Sequence, residues 1–299
     1  MLRCGTSLLL LFCISWHALA WSNNTLTIVS WNLQWMSLKQ DKVIREPRDY
    51  QKFSQLITDL NPDIFAFQEV DSIEAIYKIL PNSSYDVLLS GRDAPNSGRS
   101  QQYTGFAVRN TLSYTVKPAL TSLAPNQRLR YGTVITLSGR RGTPLTIMNV
   151  HLKSGCFEEF NHKIENKGKR KSCVTLSEQF SSLKEWVSAH SDSQGHYMVI
   201  GDFNHRLATS KSYHQWASFD ASPTLVTGKL NASCYAKNRR GGYNRYDELI
   251  DHAITDPALA AAIQTRGSVM QIQLSLKELK QFTLSDHCPI MIRVPYAEF

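Results

Sequence analysis

Short apolar runs of strand length recur along almost the whole chain, and they limit its possible folds more than any other feature. Fewer segments have helical spacing: residues 50–60, 72–80 and 174–190 are predicted helices. Because strands and helices do not alternate regularly after residue 85, two sheets packed face to face with outer helices are favoured over a doubly wound parallel sheet. The predicted strands are residues 26–31, 64–68, 85–89, 105–108, 133–137, 145–150, 197–200, 249–254, 269–274 and 290–294.

The first twenty residues differ from the rest of the chain. A basic start at Arg3 precedes a short apolar run and the small-residue pattern Ala18-Leu19-Ala20, which predicts a signal peptide cleaved after Ala20. The apolar run has about 10 residues, whereas a membrane span needs about 20. We therefore expect no stable membrane insertion, a secreted or periplasmic protein, and one domain over residues 21–299.

Removal of this segment changes two counts. It takes away Arg3, so the net charge of the chain falls from +8 to +7, and it takes away two of the six cysteines, Cys4 and Cys13. The four remaining cysteines of an exported chain predict disulfides. A positive net charge mildly favours polyanionic partners. With 42% hydrophobic and 19% charged residues, the composition excludes a disordered or fibrous chain, and we expect a globular monomer.

Polar and ionisable residues repeatedly follow the predicted strands. Taken singly, each is better explained as a turn former or a solvated surface group. As a set, they indicate an active site, because rigid strands can deliver such side chains to one place. The residues are Asn32, Glu69, His151, Asp202, Asn204, Asp251, Asp286 and His287.

The oxygen-bearing residues of this set suit a hard metal ion. The carboxylates of Glu69 and Asp286 and the amide oxygen of Asn32 are ligands preferred by Mg²⁺ or Mn²⁺, and by Ca²⁺. Zinc would be expected to use more imidazole or thiolate ligands. The sequence therefore predicts a site for Mg²⁺ or Mn²⁺, with Ca²⁺ as a further candidate.

The remaining residues can supply acid–base chemistry. His287 beside a carboxylate such as Asp251 could activate a water molecule, while His151 and Asn204 could donate to charge developing on a phosphoryl group. Together with a metal, this describes hydrolysis of phosphate esters. A nucleophilic Cys156 is less favoured than a disulfide, and the sequence contains neither GxxxxGK[ST] nor GxGxxG, so nothing supports ATP or dinucleotide binding.

Six short motifs occur in order along the chain and resemble those of the endonuclease/exonuclease/phosphatase superfamily, which has the fold of pancreatic-type deoxyribonuclease. The chain is similar to the exported bacterial-type members of that superfamily. The resemblance implies an α/β fold: a four-layered α/β sandwich of two packed mixed β-sheets flanked by helices. It also implies a divalent-metal-dependent phosphodiesterase or phosphomonoesterase. The motifs are SWN (30–32), FQEV (67–70), NVHLKS (149–154), GDFN (201–204), LIDHAI (249–254) and SDHCPI (285–290).

The same resemblance implies a role for each matching residue. Asn32 and Glu69 match metal-site positions, with Asp286 in or near the metal shell. The implied catalytic roles are a phosphate-stabilising His151, a water- and phosphate-orienting pair Asp202 and Asn204, a general-base pair Asp251 and His287, and a phosphate-contacting Tyr103.

The substrate depends on features outside the motifs, since one such site serves many phosphate esters. Two basic stretches, residues 161–171 and 237–245, flank motif residues and could line a nucleic-acid groove, although both could equally be solvated loops. The sequence contains no aromatic-rich apolar loop of the kind that would dock on a membrane. A nuclease acting on DNA rather than RNA is thus favoured. The second hypothesis is a phosphodiesterase or phosphatase acting on sphingomyelin or inositol phosphates, and the third is a non-catalytic nucleic-acid-binding module. The candidate substrate contacts are Arg99, Lys169, Arg170, Arg239 and Arg240.

Four cysteines allow three disulfide connectivities. The resemblance to exported members with cysteines after HLKSG and within SDHCP favours Cys156 with Cys173 and Cys234 with Cys288.

Overall fold

A computed structural model describes residues 25–80, 84–92, 101–125, 129–157, 159–160, 166–191, 193–238 and 240–296. The predicted signal peptide, Arg99 and Arg239 lie outside these residues. The strands are Leu26–Met36 (β1), Ile64–Val70 (β2), Tyr85–Leu89 (β3), Tyr103–Arg109 (β4), Tyr114–Leu120 (β5), Gly132–Leu137 (β6), Leu145–His151 (β7), His196–Asp202 (β8), Thr224–Leu225 (β9), Cys234–Lys237 (β10), Tyr243–Tyr246 (β11), Asp251–Thr255 (β12), Ser268–Gln271 (β13) and Ile290–Val294 (β14).

The helices connect and cover these strands. They are Pro47–Leu60 (α1), Ile73–Tyr77 (α2), Lys167–Ser191 (α3), Lys211–Trp216 (α4), Pro257–Arg266 (α5) and Leu276–Gln281 (α6), with a 3-10 turn at Thr121–Leu123. Within the described ranges, none of them is long and apolar enough to cross a membrane.

Two six-stranded sheets form the centre of the molecule. Their strand orders are β13-β14-β1-β2-β4-β3 and β5-β6-β7-β8-β12-β9, while β10 and β11 form a separate hairpin. Each large sheet is mixed, because the β1–β2 and β7–β8 pairs are parallel and the other pairs antiparallel. The inner faces contribute buried residues such as Ile28, Ile64 and Phe106 from the first sheet and Ile147 and Ile200 from the second.

Helices cover the outer faces of both sheets. Phe53 of α1 and Ile76 of α2 pack with Phe65 on the first sheet, and Phe180 of α3 packs with Val199 on the second. Burial of these apolar side chains removes them from water, which is the main favourable contribution to folding. The four layers confirm the predicted α/β sandwich of two packed mixed β-sheets flanked by helices.

All predicted strands overlap observed ones, but some boundaries were wrong. The strand predicted at 249–254 begins only at Asp251, the one at 269–274 ends at Gln271, and the helix predicted at 72–80 is Ile73–Tyr77. Part of the basic stretch 161–171 is helix rather than loop, since α3 begins at Lys167. Asn166 supports that start, because its side-chain oxygen accepts the backbone N–H of Lys169 at 3.1 Å.

Both disulfides are present with the favoured connectivity. Cys156 is bonded to Cys173 with a Cα–Cα distance of 4.8 Å, and Cys234 is bonded to Cys288 with a distance of 5.8 Å. The first bond ties the segment after β7 to α3. The second ties the β10–β11 hairpin to the segment that precedes β14.

Helix α6 is fixed to α1 by Glu278. Its carboxylate accepts the backbone N–H and the hydroxyl of Ser275 at 3.0 and 2.8 Å, and it pairs with Lys52 Nζ at 2.8 Å. The hydrogen bond from Lys52, with those from Ser275, lowers the pKa of Glu278 from 4.5 to about 2. A carboxyl group whose folded-state pKa is depressed stabilises the fold above its unfolded pKa and loses that contribution as the pH falls through the folded value.

We therefore predict that Glu278→Gln lowers the free energy of unfolding at pH 7 by about 1 kcal/mol, the usual size of a capping interaction. The difference from the original protein should shrink as the pH falls from 4.5 towards 2. Urea denaturation at a series of pH values measures both effects, with exposed Glu185→Gln on α3 as the matched control. A difference that stays constant with pH would contradict this explanation.

Candidate active site

The carboxylate of Asp202, at the end of β8, lies at the centre of the polar cluster and is 1% exposed. Asn32 Nδ2 donates to Asp202 Oδ2 at 2.9 Å. Asn204 donates from Nδ2 to the same Oδ2 at 3.1 Å and from its backbone N to Oδ1 at 2.8 Å. Burial raises the pKa of Asp202 to about 7, although His287 and the two amide donors act in the opposite direction. These donors supply the partners that a buried carboxylate needs.

Strand β8 requires glycine just before Asp202. Gly201 has a φ of +141°, and a Cβ there would lie 2.1 Å from the backbone oxygen of Val150. A larger residue would push β8 away from β7 and displace Asp202. The glycine of the GDFN motif is thus explained by close backbone approach.

Asp251 lies directly opposite Asp202 in the β8–β12 register and forms a pair with His287. His287 Nδ1 is 2.7 Å from Asp251 Oδ2, so Nδ1 carries the proton and Nε2 is left as the acceptor in the neutral ring. Nε2 lies 3.8 Å from Asp202 Oδ2. Burial lowers the pKa of His287, but Asp251 and Asp202 outweigh it and raise that pKa well above 6.5, which favours the imidazolium formed when a base takes a proton.

Glu69 lies beside Asn32, which also bonds Asp202. Its Oε1 accepts from Asn32 Nδ2 at 3.3 Å and its Oε2 from the backbone N of Trp35 at 3.1 Å. Glu69 has a φ of +59°, a conformation rare for a residue with a side chain and typical of functional sites. His151 Nε2 lies 3.6 Å from Glu69 Oε1 and 3.5 Å from Asp202 Oδ2.

The imidazole of His151 is almost fully buried. Burial, followed by the positive charge of Arg130, lowers the pKa of His151 well below 6.5. The ring is therefore neutral at physiological pH, and it can donate one hydrogen bond to an anionic substrate without carrying a charge.

The donor set fits a hard divalent ion. Asn32 and Glu69 lie side by side, with the amide nitrogen of Asn32 3.3 Å from Glu69 Oε1 and its amide oxygen accepting from the backbone N of Gln34 at 2.9 Å. Asp286 is exposed in the cleft beside His287. A second grouping, not anticipated from the sequence, has one ligand atom each from Asp202, Asp251 and His287 within 4.8 Å of one another. Asp251 Oδ1 is buried without a hydrogen-bond partner in the described part of the chain, which leaves a free acceptor for a cation or a water molecule.

The other sequence candidates are dispersed. Tyr103 is buried at the start of β4 and pairs with Val70 of the neighbouring strand β2. Glu69 is the residue before Val70, so Tyr103 lies close to it. Lys169 and Arg170 are exposed on α3, where Arg170 lines a surface pocket made only of α3 residues. Arg240 is exposed in the β10–β11 turn. The substrate contacts of Lys169, Arg170 and Arg240 remain predictions, as do those of Arg99 and Arg239.

Arg45 is a positioning residue that the sequence did not reveal. Its buried guanidinium donates to carbonyl oxygens of two segments, the end of β1 and the segment just before Asp286 and His287. The acceptors are Leu33 at 3.0 Å, Gln34 at 2.9 Å, Trp35 at 3.2 Å, Thr283 at 3.1 Å and Leu284 at 3.4 Å. It therefore holds Asn32 and His287 in one arrangement, which no local sequence pattern indicates.

Arg130 is the second residue that sequence reasoning missed. Its Nη2 donates to the Leu152 carbonyl at 3.1 Å, and its buried Nε has no partner in the described part of the chain. Burial lowers the pKa of Arg130 to about 10, with Glu69 and Asp202 acting to raise it, so the side chain stays charged at neutral pH. A charged guanidinium with a spare donor beside the carboxylates can bind an anionic substrate.

Replacement of Arg45 tests its positioning role. Arg45→Met should lower the free energy of unfolding by about 3 kcal/mol, because several buried carbonyl groups lose their donor. Urea denaturation measures the change. Arg48→Met, at a side chain 63% exposed, is the matched control and should change stability by less than about 0.5 kcal/mol. Equal effects of the two replacements would refute the role of Arg45.

The fold and this geometry agree with the comparisons to known proteins. The model of the endonuclease/exonuclease/phosphatase family matches residues 29–287, so the chain belongs to that family. It is a hydrolase of phosphoester bonds within a family that generally uses a divalent metal. No curated protein sequence matches the chain.

Several solved structures share the fold at low identity. TDP2 of D. rerio, complexed with a single-strand DNA product, has a TM-score of 0.61 and 16% identity, covering 91% of this chain and 99% of that one. The human Nocturnin catalytic domain with bound sulfate has a TM-score of 0.58 and 15% identity, and the match covers 90% of this chain and 94% of that one. The Bacteroides thetaiotaomicron mannosyl-6-phosphatase has a TM-score of 0.56 and 17% identity, and the match covers 89% of this chain and 98% of that one.

Proposed function

We propose that this hydrolase is a nuclease that cleaves phosphodiester bonds of nucleic acid, preferentially DNA, with Mg²⁺ or Mn²⁺ as its cofactor. The observation that carries the proposal is the convergence of Asp202, Asn204 and the Asp251–His287 pair around one point beside Glu69. The cleft that opens from His287 has a volume of about 610 Å³, and its lining is mixed in charge, with the basic Arg206, Lys237 and Arg245 and the acidic Asp247, Glu248, Asp251 and Asp286. The basic side chains support a polyanionic substrate.

In this proposal, His287 acts as the general base. Asp251 fixes the Nδ1–H tautomer, and Nε2 of the neutral ring accepts a proton from the attacking water. Because the pKa of His287 is raised well above 6.5, this neutral, active form becomes populated as the pH rises. The carboxylates of Asp251 and Asp202 stabilise the resulting imidazolium. Asp202, held by Asn32 and Asn204, orients the water towards phosphorus.

The other residues bind the phosphate group. His151 and Asn204 donate to its oxygen atoms, Arg130 supplies a positive charge, and Tyr103 is a further donor. Asn32, Glu69 and Asp286 would hold the metal ion, which when bound neutralises negative charge on the phosphate.

The proposal extends to where the protein works. Two disulfides support an extracellular or periplasmic location, because such bonds persist in oxidising compartments. We propose that residues 21–299 act there as one catalytic domain and as a monomer, after removal of a signal peptide.

A phosphatase or lipid phosphodiesterase is the main alternative. One structural neighbour is a mannosyl-6-phosphatase, so the same fold carries monoesterase activity elsewhere. The positive net charge of the chain and the basic side chains among the mixed lining of the cleft favour the nuclease, and a substrate comparison decides between the two.

A substrate panel tests the proposal. Purified protein should cleave plasmid and single-stranded DNA faster than RNA, sphingomyelin, inositol phosphates or mannose 6-phosphate, and EDTA should abolish the activity. Readdition of Mg²⁺ or Mn²⁺ should restore it. Cleavage of lipid or phosphomonoesters alone would reject the nuclease, and cleavage of nothing would favour a non-catalytic module.

A single substitution tests the role of His287. His287→Ala should reduce kcat by at least about 10²-fold, the lower end for loss of a general base, without preventing folding. His214→Ala, at an exposed histidine of α4, is the matched control and should keep full activity. Loss of the folded state, seen by circular dichroism, would instead mark His287 as a structural residue.

A further inference from the structure

Two exposed aromatic side chains lie in the cleft next to the proposed general base. Among the large apolar side chains exposed in the described ranges, Phe157 is 55% exposed and Tyr246 is 47% exposed. Both line the cleft that also contains Asp251 and His287. Exposed aromatic rings are costly to leave in water, and rings that share one cleft mark a binding surface.

The two rings come from separate parts of the chain, and a disulfide holds each part. Phe157 follows Cys156, which is bonded to Cys173 of α3. Tyr246 lies directly opposite Cys234 in the β10–β11 register, and Cys234 is bonded to Cys288, the residue after His287. Each ring is thus anchored close to a cross-link, so little ordering is needed when a ligand binds.

The polar lining of the cleft indicates what kind of ligand fits beside the rings. Arg206 lies 5.9 Å from the centroid of Phe157 and is paired with Glu248 at 2.9 Å, and Arg245 is paired with Asp247 at 3.0 Å. The cleft therefore offers donors and acceptors beside π-faces. A lipid chain would not use these charges, and a bare phosphate would not use the carboxylates. A flat heterocycle with polar edges uses all of them.

We propose that Phe157 and Tyr246 bind an unpaired nucleobase adjacent to the scissile phosphodiester, so that the protein prefers single-stranded nucleic acid over duplex. The inference rests on the proposed nuclease function and adds the part of the substrate that this cleft recognises. A base within a duplex is already stacked and paired, whereas an unpaired base gains its stacking from the protein.

The test compares single-stranded oligonucleotides that carry either normal bases or abasic sites around the cleaved bond. Phe157→Ala and Tyr246→Ala should each lower kcat/KM on the normal oligonucleotide about tenfold, the effect expected from loss of one base–aromatic stack. The abasic oligonucleotide should be a poor substrate for the original protein and should be cleaved at similar rates by all variants. Phe157→Tyr and Tyr246→Phe keep an aromatic ring and should retain activity.

Val116→Ala, at an exposed apolar residue of β5, is the control and should have no effect. Equal losses on normal and abasic substrates would make the rings structural and overturn the inference, as would unchanged cleavage by the alanine variants or faster cleavage of duplex than of single strands. In these outcomes the original protein still cleaves nucleic acid, so the nuclease function stands. If it cleaves none, the nuclease function fails and the inference fails with it.

Discussion

The hydrogen bond between Asn32 and Asp202 crosses from one sheet of the sandwich to the other, and the arrangement of the site depends on it. Asn32 is the last residue of β1, in the first sheet, before the pairing with β2 becomes irregular, and Asp202 is the last residue of β8 in the second sheet. A second polar contact between the sheets involves Asn149 of β7, which accepts from Gln68 of β2 at 2.7 Å and donates to the Phe67 carbonyl at 2.8 Å. Because unpaired polar groups are costly inside a core, these bonds fix how the two sheets lie on each other.

That fixed contact allows the surrounding backbone to adopt conformations that are unfavourable by themselves. Glu69 and Asn204 both have positive φ, at +59° and +52°, and both are hydrogen-bonded within the cluster. Ser285 adds a further link, since its hydroxyl donates to the Asn32 carbonyl and accepts the backbone N–H of His287. Strained residues persist only where the surroundings determine them, and here those surroundings come from both sheets.

The sequence predicted the sandwich and most of its strands because their apolar runs are local patterns with a clear period. It named Asn32, Glu69, Asp202 and His287 as candidates because polar residues at strand ends can be recognised without knowing their partners, and the fold brings these four together. It did not reveal Arg45, whose acceptor at Thr283 is 238 residues away, nor the hairpin β10–β11, whose strands of four residues each are too short to form a clear apolar run. Helix α5 was missed although Asp256 and Pro257 form a recognisable start signal.

Substrate choice in such a fold depends on what the loops place around a shared centre. In this chain the hairpin and the segment after β7 bring Tyr246 and Phe157 to the same cleft, and the disulfides tie both to the site. The bond at Cys288 joins the hairpin to the residue next to His287, so the proposed base-binding surface and the proposed general base are connected through one short segment. A disturbance of the hairpin would therefore reach His287, the proposed general base, directly.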